Sequence, residues 1–149
     1  SPTLSSDYFL LTLMIDTHKR EDVATADVVG AYLHAYMKDF VLLKITEQTV
    51  DILCKVSKEY QSYVCIEHGK PVIYLRLVKA LYGCVKSALL WYDLFSSTLI
   101  ELGFILNPHD RCDANKMSNR KQCTVAWYVD DMKISHVETK VVTDIITAI

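Results

Sequence analysis

The chain has 149 residues, 51% of them apolar, which is enough for one domain with a buried core. Its 16 Lys and Arg residues are balanced by 18 Asp and Glu residues, and the net charge of -2 excludes a surface that binds phosphate throughout. The sequence has no apolar run of transmembrane length and no secretory leader, so we expect no membrane partner.

Five cysteines are widely spaced along the chain, and their odd number leaves at least one unpaired. No close pair has the spacing of a zinc site, and an intracellular, reduced chain fits this pattern best. We expect the thiols to be small buried hydrophobic groups rather than metal ligands or redox centres. The sequence opens on Ser1 and stops at Ile149 inside an apolar run typical of a helix, which predicts a piece of a larger protein.

The N-terminal part of the sequence predicts a helix followed by two strands. Apolar residues recur at helical spacing over residues 8–18, after candidate caps at residues 5–7. Residues 22–29 alternate and are rich in β-branched side chains, so they predict a strand that ends near Asp27. A second, short strand is expected over residues 40–45.

The middle of the sequence predicts two helices separated by a hairpin. Residues 50–60 carry apolar side chains at helical intervals and predict a helix on a sheet face. Residues 64–67 and 72–77 flank a turn-rich tetrapeptide and predict a β-hairpin. A regular apolar stripe over residues 86–102 predicts a helix, and Gly103 is its expected stop.

The last third of the sequence predicts three antiparallel strands. These strands cover residues 113–117, 122–129 and 132–136, with Asp130 and Asp131 together at the second turn. A β-branched segment at the end of the chain predicts a closing helix. Helices and strands are mixed without a regular alternation, so the expected fold class is α+β rather than a doubly wound sheet.

Asp130 and Asp131 are the residues whose chemistry most needs an explanation. A charge beside apolar strands is costly unless it is solvated, paired or bound to a metal ion. Two adjacent carboxylates also repel each other unless a cation neutralises them. The alternative is a solvated turn, because Asp is a common turn residue, and Asp27 has the same alternative as an exposed cap.

Two motifs stand in a specific order along the chain. Asp27 is followed five residues later by Tyr32, and Tyr-Val-Asp-Asp occupies residues 128–131 about a hundred residues downstream. This combination resembles reverse transcriptases, in which an Asp is followed at this distance by an aromatic residue and Tyr-x-Asp-Asp lies at a hairpin tip. Both patterns are present in the family's order.

A third motif makes the resemblance narrower. The Leu-Tyr-Gly sequence at residues 81–83 and the Trp-Tyr pair at residues 91–92 look like the block found in copia-like LTR retrotransposons rather than in retroviruses. The resemblance covers nearly the whole chain. The sequence departs from the usual Leu-Lys-Gln-Ser-Pro-Arg after the glycine, because Cys-Val-Lys-Ser-Ala-Leu stands at residues 84–89.

The resemblance implies both a fold and an activity. The expected fold is a reverse-transcriptase palm, an antiparallel sheet packed on helices, with part of the fingers and without the thumb, in a single partial domain over residues 1–149. The implied activity is that of an RNA-directed DNA polymerase, a nucleotidyltransferase that joins a dNTP to the 3′-hydroxyl of a primer. The implied cofactor is a pair of Mg²⁺ ions, with Mn²⁺ as an alternative.

The resemblance also assigns roles to residues at the matching positions. The catalytic residues would be Asp27, Asp130 and Asp131, and the metal ligands would be these three and the backbone carbonyl of Val28. Tyr32 would exclude the 2′-hydroxyl of a ribonucleotide, although a partly buried Tyr beside a strand is also common in a core. The remaining assignments are Lys86 for dNTP binding, and Lys79, Tyr82, Gly83, Tyr128 and Val129 for primer and template.

The implied partners are an RNA or DNA template with its primer, dNTPs, and the rest of a Pol polyprotein that includes integrase and RNase H. The expected location is a virus-like particle in the cytoplasm.

Two alternatives remain open. The first is a catalytically inactive nucleic-acid-binding remnant of such an element. The second is a metal-dependent nuclease or phosphatase, because paired carboxylates also serve hydrolysis, although no motif specific to that class is present.

Overall fold

The computed structural model describes residues 2–149 and contains, over that range, four α-helices, two 3₁₀ helices and eight strands. The helices are α1 (Ser6–Lys19), α2 (Gln48–Val56), α3 (Ser87–Glu101) and α4 (Thr139–Ala148), with 3₁₀ helices at Ala31–His34 and Lys58–Tyr63. The strands are β1 (Asp22–Asp27), β2 (Leu42–Thr46), β3 (Cys65–Glu67), β4 (Lys70–Arg76), β5 (Ile105–Leu106), β6 (Asp113–Ser118), β7 (Lys121–Tyr128) and β8 (Asp131–His136). The prediction of an α+β fold is confirmed.

One face of the larger sheet packs against α3 and α4. The sheet has the order β1-β8-β7-β6-β5, and all neighbouring strands are antiparallel. Because side chains alternate along a strand, Val125 and Trp127 of β7 point to the same side. Trp127 meets Phe95 of α3 edge-on, with ring centroids 5.3 Å apart, and Val142 and Ile145 of α4 belong to the same buried cluster. This cluster is the main core.

The opposite face of the larger sheet is polar and is partly covered by α1. The side-chain hydroxyl of Ser5 caps this helix by accepting a hydrogen bond from the backbone N–H of Tyr8. The two buried residues of α1 are Thr12 and Asp16, and Asp16 accepts a hydrogen bond from the buried ammonium group of Lys133 on β8. Large apolar side chains of α1, such as Met14, are exposed. α1 is therefore attached to the sheet mainly through polar contacts.

A smaller antiparallel sheet with the order β2-β4-β3 packs against α2. Val50 of α2 and Ile73 of β4 are fully buried there, and neither belongs to the cluster around Trp127. The smaller sheet is joined to the rest of the molecule near Ala35, whose carbonyl accepts a hydrogen bond from the N–H of Ala80 at 2.9 Å. The chain thus has two separate packing regions joined by short backbone contacts.

Most elements expected from the sequence are present. The helices predicted over residues 8–18, 86–102 and the closing segment are confirmed as α1, α3 and α4, and the three C-terminal strands are confirmed as β6, β7 and β8. The helix predicted over residues 50–60 is wrong in its length. It ends at Val56 because Ser57 is extended, with φ -142° and ψ 124°, and a 3₁₀ helix follows.

The structure corrects the position of the carboxylate pair. Asp130 and Asp131 do not share the hairpin turn, because the turn consists of Val129 and Asp130 alone. Asp131 is the first residue of β8 and pairs with Tyr128. The strand predicted to end near Asp27 is confirmed as β1, which ends at Asp27. The φ of 57° at Val129 allows a two-residue turn, which leaves room for only one of the two aspartates.

The five cysteines are all free thiols, as expected from their spacing. Cys112 and Cys123 are buried, and burial raises the pKa of each thiol to about 11. The expectation that every thiol is buried is wrong for Cys65, which is exposed on β3.

Over residues 2–149, none of the helices has both the length and the apolar character needed to cross a bilayer.

Candidate active site

Strand pairing brings the three candidate aspartates to one edge of the larger sheet. β1 and β8 run antiparallel in a register that places Asp27 directly opposite Asp131. The Cα atoms of such pairs lie about 4.5–5.5 Å apart. The N–H of Val28 donates a hydrogen bond to the carbonyl of Asp130 at 3.0 Å, which fixes the end of β1 beside the turn. The backbone therefore places Asp27 and Asp131, which come from two distant motifs, opposite each other on adjacent strands.

The turn before Asp131 is held in an unusual conformation by α3. Val129 has φ 57°, a value that costs a β-branched residue about 1–2 kcal/mol. The indole N–H of Trp91 on α3 donates a hydrogen bond to the carbonyl of Val129 at 2.6 Å. Trp91 is buried, so its N–H needs such a partner. The sequence motif contained this Trp but gave no sign that it supports the turn.

A groove of about 810 Å³ lies between α1 and the edge of the sheet that carries Asp27 and Asp131. Residues of the preceding loop and α1 form one wall, and residues of the sheet form the other. The polar groups lining it are Ser5, Ser6, Thr25, Asp27, Tyr128, Asp131 and Lys133, and most of the remaining surface is apolar. The groove is open to solvent beside two of the three aspartates.

The donor groups at the end of β1 and the start of β8 determine which kind of metal ion this site can hold. Over residues 2–149, no three side chains of His, Cys, Asp or Glu are gathered closely enough to hold a metal ion between them. The donors nevertheless have the right chemistry, because Mg²⁺ prefers carboxylate oxygens and is commonly held by one or two of them, with water and substrate phosphates completing its shell. These residues are suited to an ion that is bound together with a triphosphate. They are less suited to an ion whose ligands all come from the protein.

The carbonyl of Val28, the fourth predicted metal ligand, already has one partner. It accepts a hydrogen bond from the N–H of Ala31 at 3.1 Å. A carbonyl oxygen has two lone pairs, so one acceptor site remains.

Two tyrosines from separate motifs are in contact, and both affect the surroundings of the turn through Tyr32. The rings of Tyr32 and Tyr82 are in contact, with centroids 4.4 Å apart and planes tilted by 33°. Burial is the main cause that raises the pKa of Tyr32, and the nearby Tyr82 raises it further. Asp130 and Tyr128 act on the pKa of Tyr32 in the same direction. The predicted nucleotide and primer residues on this side are thus brought together with one of the aspartates.

The two candidate lysines have other contacts. Lys86 forms an exposed ion pair with Asp39, with Nζ and Oδ2 2.5 Å apart. The ammonium group of Lys79 lies over the ring of Tyr36, 5.5 Å from its centroid. Gly83 is exposed and has φ 90°, so a side chain at this position would strain the backbone even though the space around it is open.

Lys133 lies two residues after Asp131 on the same face of β8, and sequence reasoning assigned it no role. Its ion pair with Asp16 is buried, with 4% and 6% of the two side chains exposed. The alternation of Met132 and Ile134 toward the core could have indicated that Lys133 faces the other side of the sheet. Its partner on α1 lies too far away in sequence for any local pattern to identify.

No known protein-family model matches the chain, and no solved structure matches it. Inferences about its function therefore depend on the motifs and on the geometry described above.

Proposed function

We propose that the chain is the palm, with part of the fingers, of an RNA-directed DNA polymerase from a copia-like retrotransposon. The observation that carries this proposal is the register of β1 and β8, which pairs Asp27 with Asp131 and puts Asp130 in the adjoining turn. Two motifs that resemble reverse transcriptases in sequence are thereby adjacent in space. A solvated turn alone would not require this pairing.

In this proposal the aspartates supply negative oxygen ligands for nucleotidyl transfer. Asp27 and Asp130 would hold the metal pair with the carbonyl of Val28, and Asp131 would support the ion that activates the primer 3′-hydroxyl. Two Mg²⁺ ions, when bound, stabilise charge on the attacking and leaving oxygens of phosphoryl transfer. The backbone N–H of Val28 and the indole N–H of Trp91 donate hydrogen bonds to the turn and fix the backbone that carries the carboxylates.

The tyrosines supply the substrate-binding surface in this proposal. Tyr32 lies under the sugar of the incoming nucleotide and excludes a 2′-hydroxyl, while Tyr128 and Val129 line the primer terminus. Tyr82 and Gly83 approach the template. This cluster favours a polymerase over a nuclease or phosphatase, because hydrolysis of a phosphate ester does not require aromatic surfaces beside the carboxylates.

The lysines would contact phosphates after leaving their present partners. An exposed ion pair such as Lys86–Asp39 contributes about 0–1 kcal/mol, so a triphosphate can displace Asp39 at little cost. Lys79 is assigned to the template strand from its position in the motif, and its exposed contact with the Tyr36 ring contributes about 0.5–1 kcal/mol, which a phosphate can replace. The further partners in this proposal are dNTPs, an RNA or DNA template with its primer, and the integrase and RNase H regions of a Pol polyprotein in a cytoplasmic particle.

A second candidate is a catalytically inactive remnant that binds nucleic acid. The absence of a gathered group of three metal-binding side chains over residues 2–149 favours this candidate. It predicts that primer–template binds but that Mg²⁺ does not bind at the aspartates.

The direct test is Mg²⁺-dependent extension of a DNA primer on an RNA template. It would use the chain itself and, in parallel, a copia-like polymerase whose corresponding region is replaced by this chain. We expect Asp130→Asn to reduce extension at least 100-fold, because charge stabilisation at the reacting phosphate supplies about 3 kcal/mol or more. Asp144→Asn, an exposed aspartate on α4, is the matched control and should extend as the wild type does.

Calorimetric titration with Mg²⁺ in the presence of dNTP separates the two candidates. Binding that is lost in Asp27→Asn and Asp130→Asn, together with extension by the wild type, supports the polymerase. A folded wild-type chain that binds primer–template but neither binds Mg²⁺ nor extends the primer in either form would identify the remnant.

A further inference from the structure

The contact between Tyr32 and Tyr82 joins two segments that are fifty residues apart. Their ring centroids are 4.4 Å apart, which is close to the lower limit of the roughly 4.5–7 Å spacing that aromatic pairs prefer. Tyr32 is half-buried in the 3₁₀ helix after β1, whereas Tyr82 is 49% exposed in the loop before α3. Tyr82 therefore covers one side of the Tyr32 ring and leaves its own outer surface open to solvent.

The loop that carries Tyr82 is held by a buried serine. Ser87, the first residue of α3, is fully buried. Its hydroxyl accepts a hydrogen bond from the N–H of Leu81 at 3.1 Å and donates one to the carbonyl of Leu81 at 2.7 Å. Both polar groups of the residue before Tyr82 are thus tied to the start of a helix.

The same loop is also fastened to the segment that carries Tyr32. The N–H of Ala80 donates to the carbonyl of Ala35, and Ala35, Ala80 and Leu90 form a small buried cluster against which Tyr32 packs. Loop and 3₁₀ helix are therefore parts of one rigid unit. A residue mounted on such a unit can fix the orientation of a neighbouring ring.

We propose that Tyr82 is a positioning residue for sugar selection, and that the hydroxyl of Ser87 holds Tyr82 in place for this task. The inference rests on the proposed function, in which Tyr32 lies under the sugar of the incoming nucleotide. A ring that excludes one hydroxyl group must keep its position to within a fraction of an ångström. Without the Tyr82 ring, one side of Tyr32 is free, and a rotation about its χ1 angle opens space for a 2′-hydroxyl.

The test compares Tyr82→Leu with Tyr82→Phe in the ratio of kcat/KM for dUTP to that for UTP, two nucleotides that differ only in the 2′-hydroxyl. We expect Tyr82→Leu to reduce this ratio about three- to tenfold, the factor that corresponds to loss of one aromatic pair. Tyr82→Phe keeps the ring and should keep the wild-type ratio. Tyr63→Leu, which removes an exposed tyrosine from the 3₁₀ helix at Lys58–Tyr63, is the matched control.

A second variant tests the support beneath Tyr82. Ser87→Ala removes both hydrogen bonds to Leu81 but leaves the Tyr82 ring in the chain. We expect a smaller reduction of the same ratio than in Tyr82→Leu, and no additional reduction when the two changes are combined. Equal reductions of dUTP and UTP incorporation in every variant would show a merely structural role and would overturn the inference.

Equilibrium binding separates failure of the inference from failure of the proposed function. With Ca²⁺ in place of Mg²⁺ and a primer–template present, the dissociation constants of dUTP and UTP can be measured without chemistry. A wild-type chain that prefers dUTP, with Tyr82→Leu losing the preference, supports the inference even if extension is slow. Preference for dUTP that is unchanged in Tyr82→Leu overturns the inference alone, and no nucleotide binding by the wild type overturns both.

Discussion

Asp113 is the residue at which burial and charge conflict most strongly. It is 1% exposed on β6, and its Oδ1 accepts hydrogen bonds from Asn107 at 3.2 Å and Asn115 at 2.7 Å. Its Oδ2 is buried without a hydrogen-bond partner. Burial raises the pKa of Asp113 above the ordinary 3.8, and Asp110 adds to the rise, whereas the two amides and Lys133 lower it. Folding therefore favours the protonated carboxyl more than the unfolded chain does.

A raised pKa in the folded state gives a definite pH dependence for Asp113→Asn. The stabilising effect of the protonated carboxyl is complete below pH 3.8 and is lost as the pH rises through the folded pKa. Relative to the wild type, the Asn variant should gain free energy of unfolding between pH 3 and pH 7, because only the wild type has a carboxyl group to ionise at this buried position. Urea unfolding at several pH values measures this. A difference that stays constant with pH would contradict the assignment, and the exposed Asp144→Asn serves as the control.

At the scale of elements, α1 shows why a correct helix prediction can still miss how the helix packs. Its period is visible in the sequence, and its apolar positions suggest an apolar face against the sheet. The contacts are polar instead, because β8 presents Lys133 to α1 and Asp16 neutralises it. Replacing one partner of a buried ion pair leaves an uncompensated charge, whereas replacing both often costs little.

This contrast predicts the behaviour of a single and a double variant of the pair. Lys133→Met alone should lower the free energy of unfolding by about 3–5 kcal/mol, since it leaves the Asp16 carboxylate buried without its partner. Adding Asp16→Leu should recover most of the loss. Denaturant unfolding measures both, with Lys140→Met on the exposed face of α4 as control. A cost below about 1 kcal/mol for the single variant would mean that the pair is effectively solvated.

The elements of the site were predictable to different degrees. Local patterns predicted the hairpin of β7 and β8, because alternation and turn residues act over short distances. The pairing of β1 with β8 joins residues about a hundred positions apart, and only the resemblance to a known family suggested it. The hydrogen bond from Trp91 to the turn and the ring contact of Tyr82 depend on how α3 docks, which no local pattern contains.

At the scale of the whole molecule, the two sheets have separate cores. The larger sheet shares its core with α3 and α4 around Trp127, while the smaller sheet packs on α2 around Ile73. Regions with separate cores commonly open independently, with free energies below that of global unfolding. The backbone contacts at Ala35 and Ala80 connect the two regions but bury little surface.

Native-state hydrogen exchange should therefore distinguish the two sheets. Ile73→Ala removes a fully buried side chain and should cost about 2–5 kcal/mol locally. We expect the amides of β2 and β4 to lose protection while those of β7 and β8 keep theirs, as followed by mass spectrometry of exchanged peptides. Equal loss of protection in both sheets would show that the molecule opens as one cooperative unit.

The register that pairs Asp27 with Asp131 also governs which changes in gene length the chain can accept. A deletion of one codon within β8 keeps the reading frame but turns every later side chain of the strand to the opposite face of the sheet. A deletion of Asp131 or Met132 would therefore present Lys133 to the apolar core. An extra codon among the exposed residues 38–40 leaves both sheet registers intact. Viable length variants of this gene are therefore expected in that loop and not in β1 or β8.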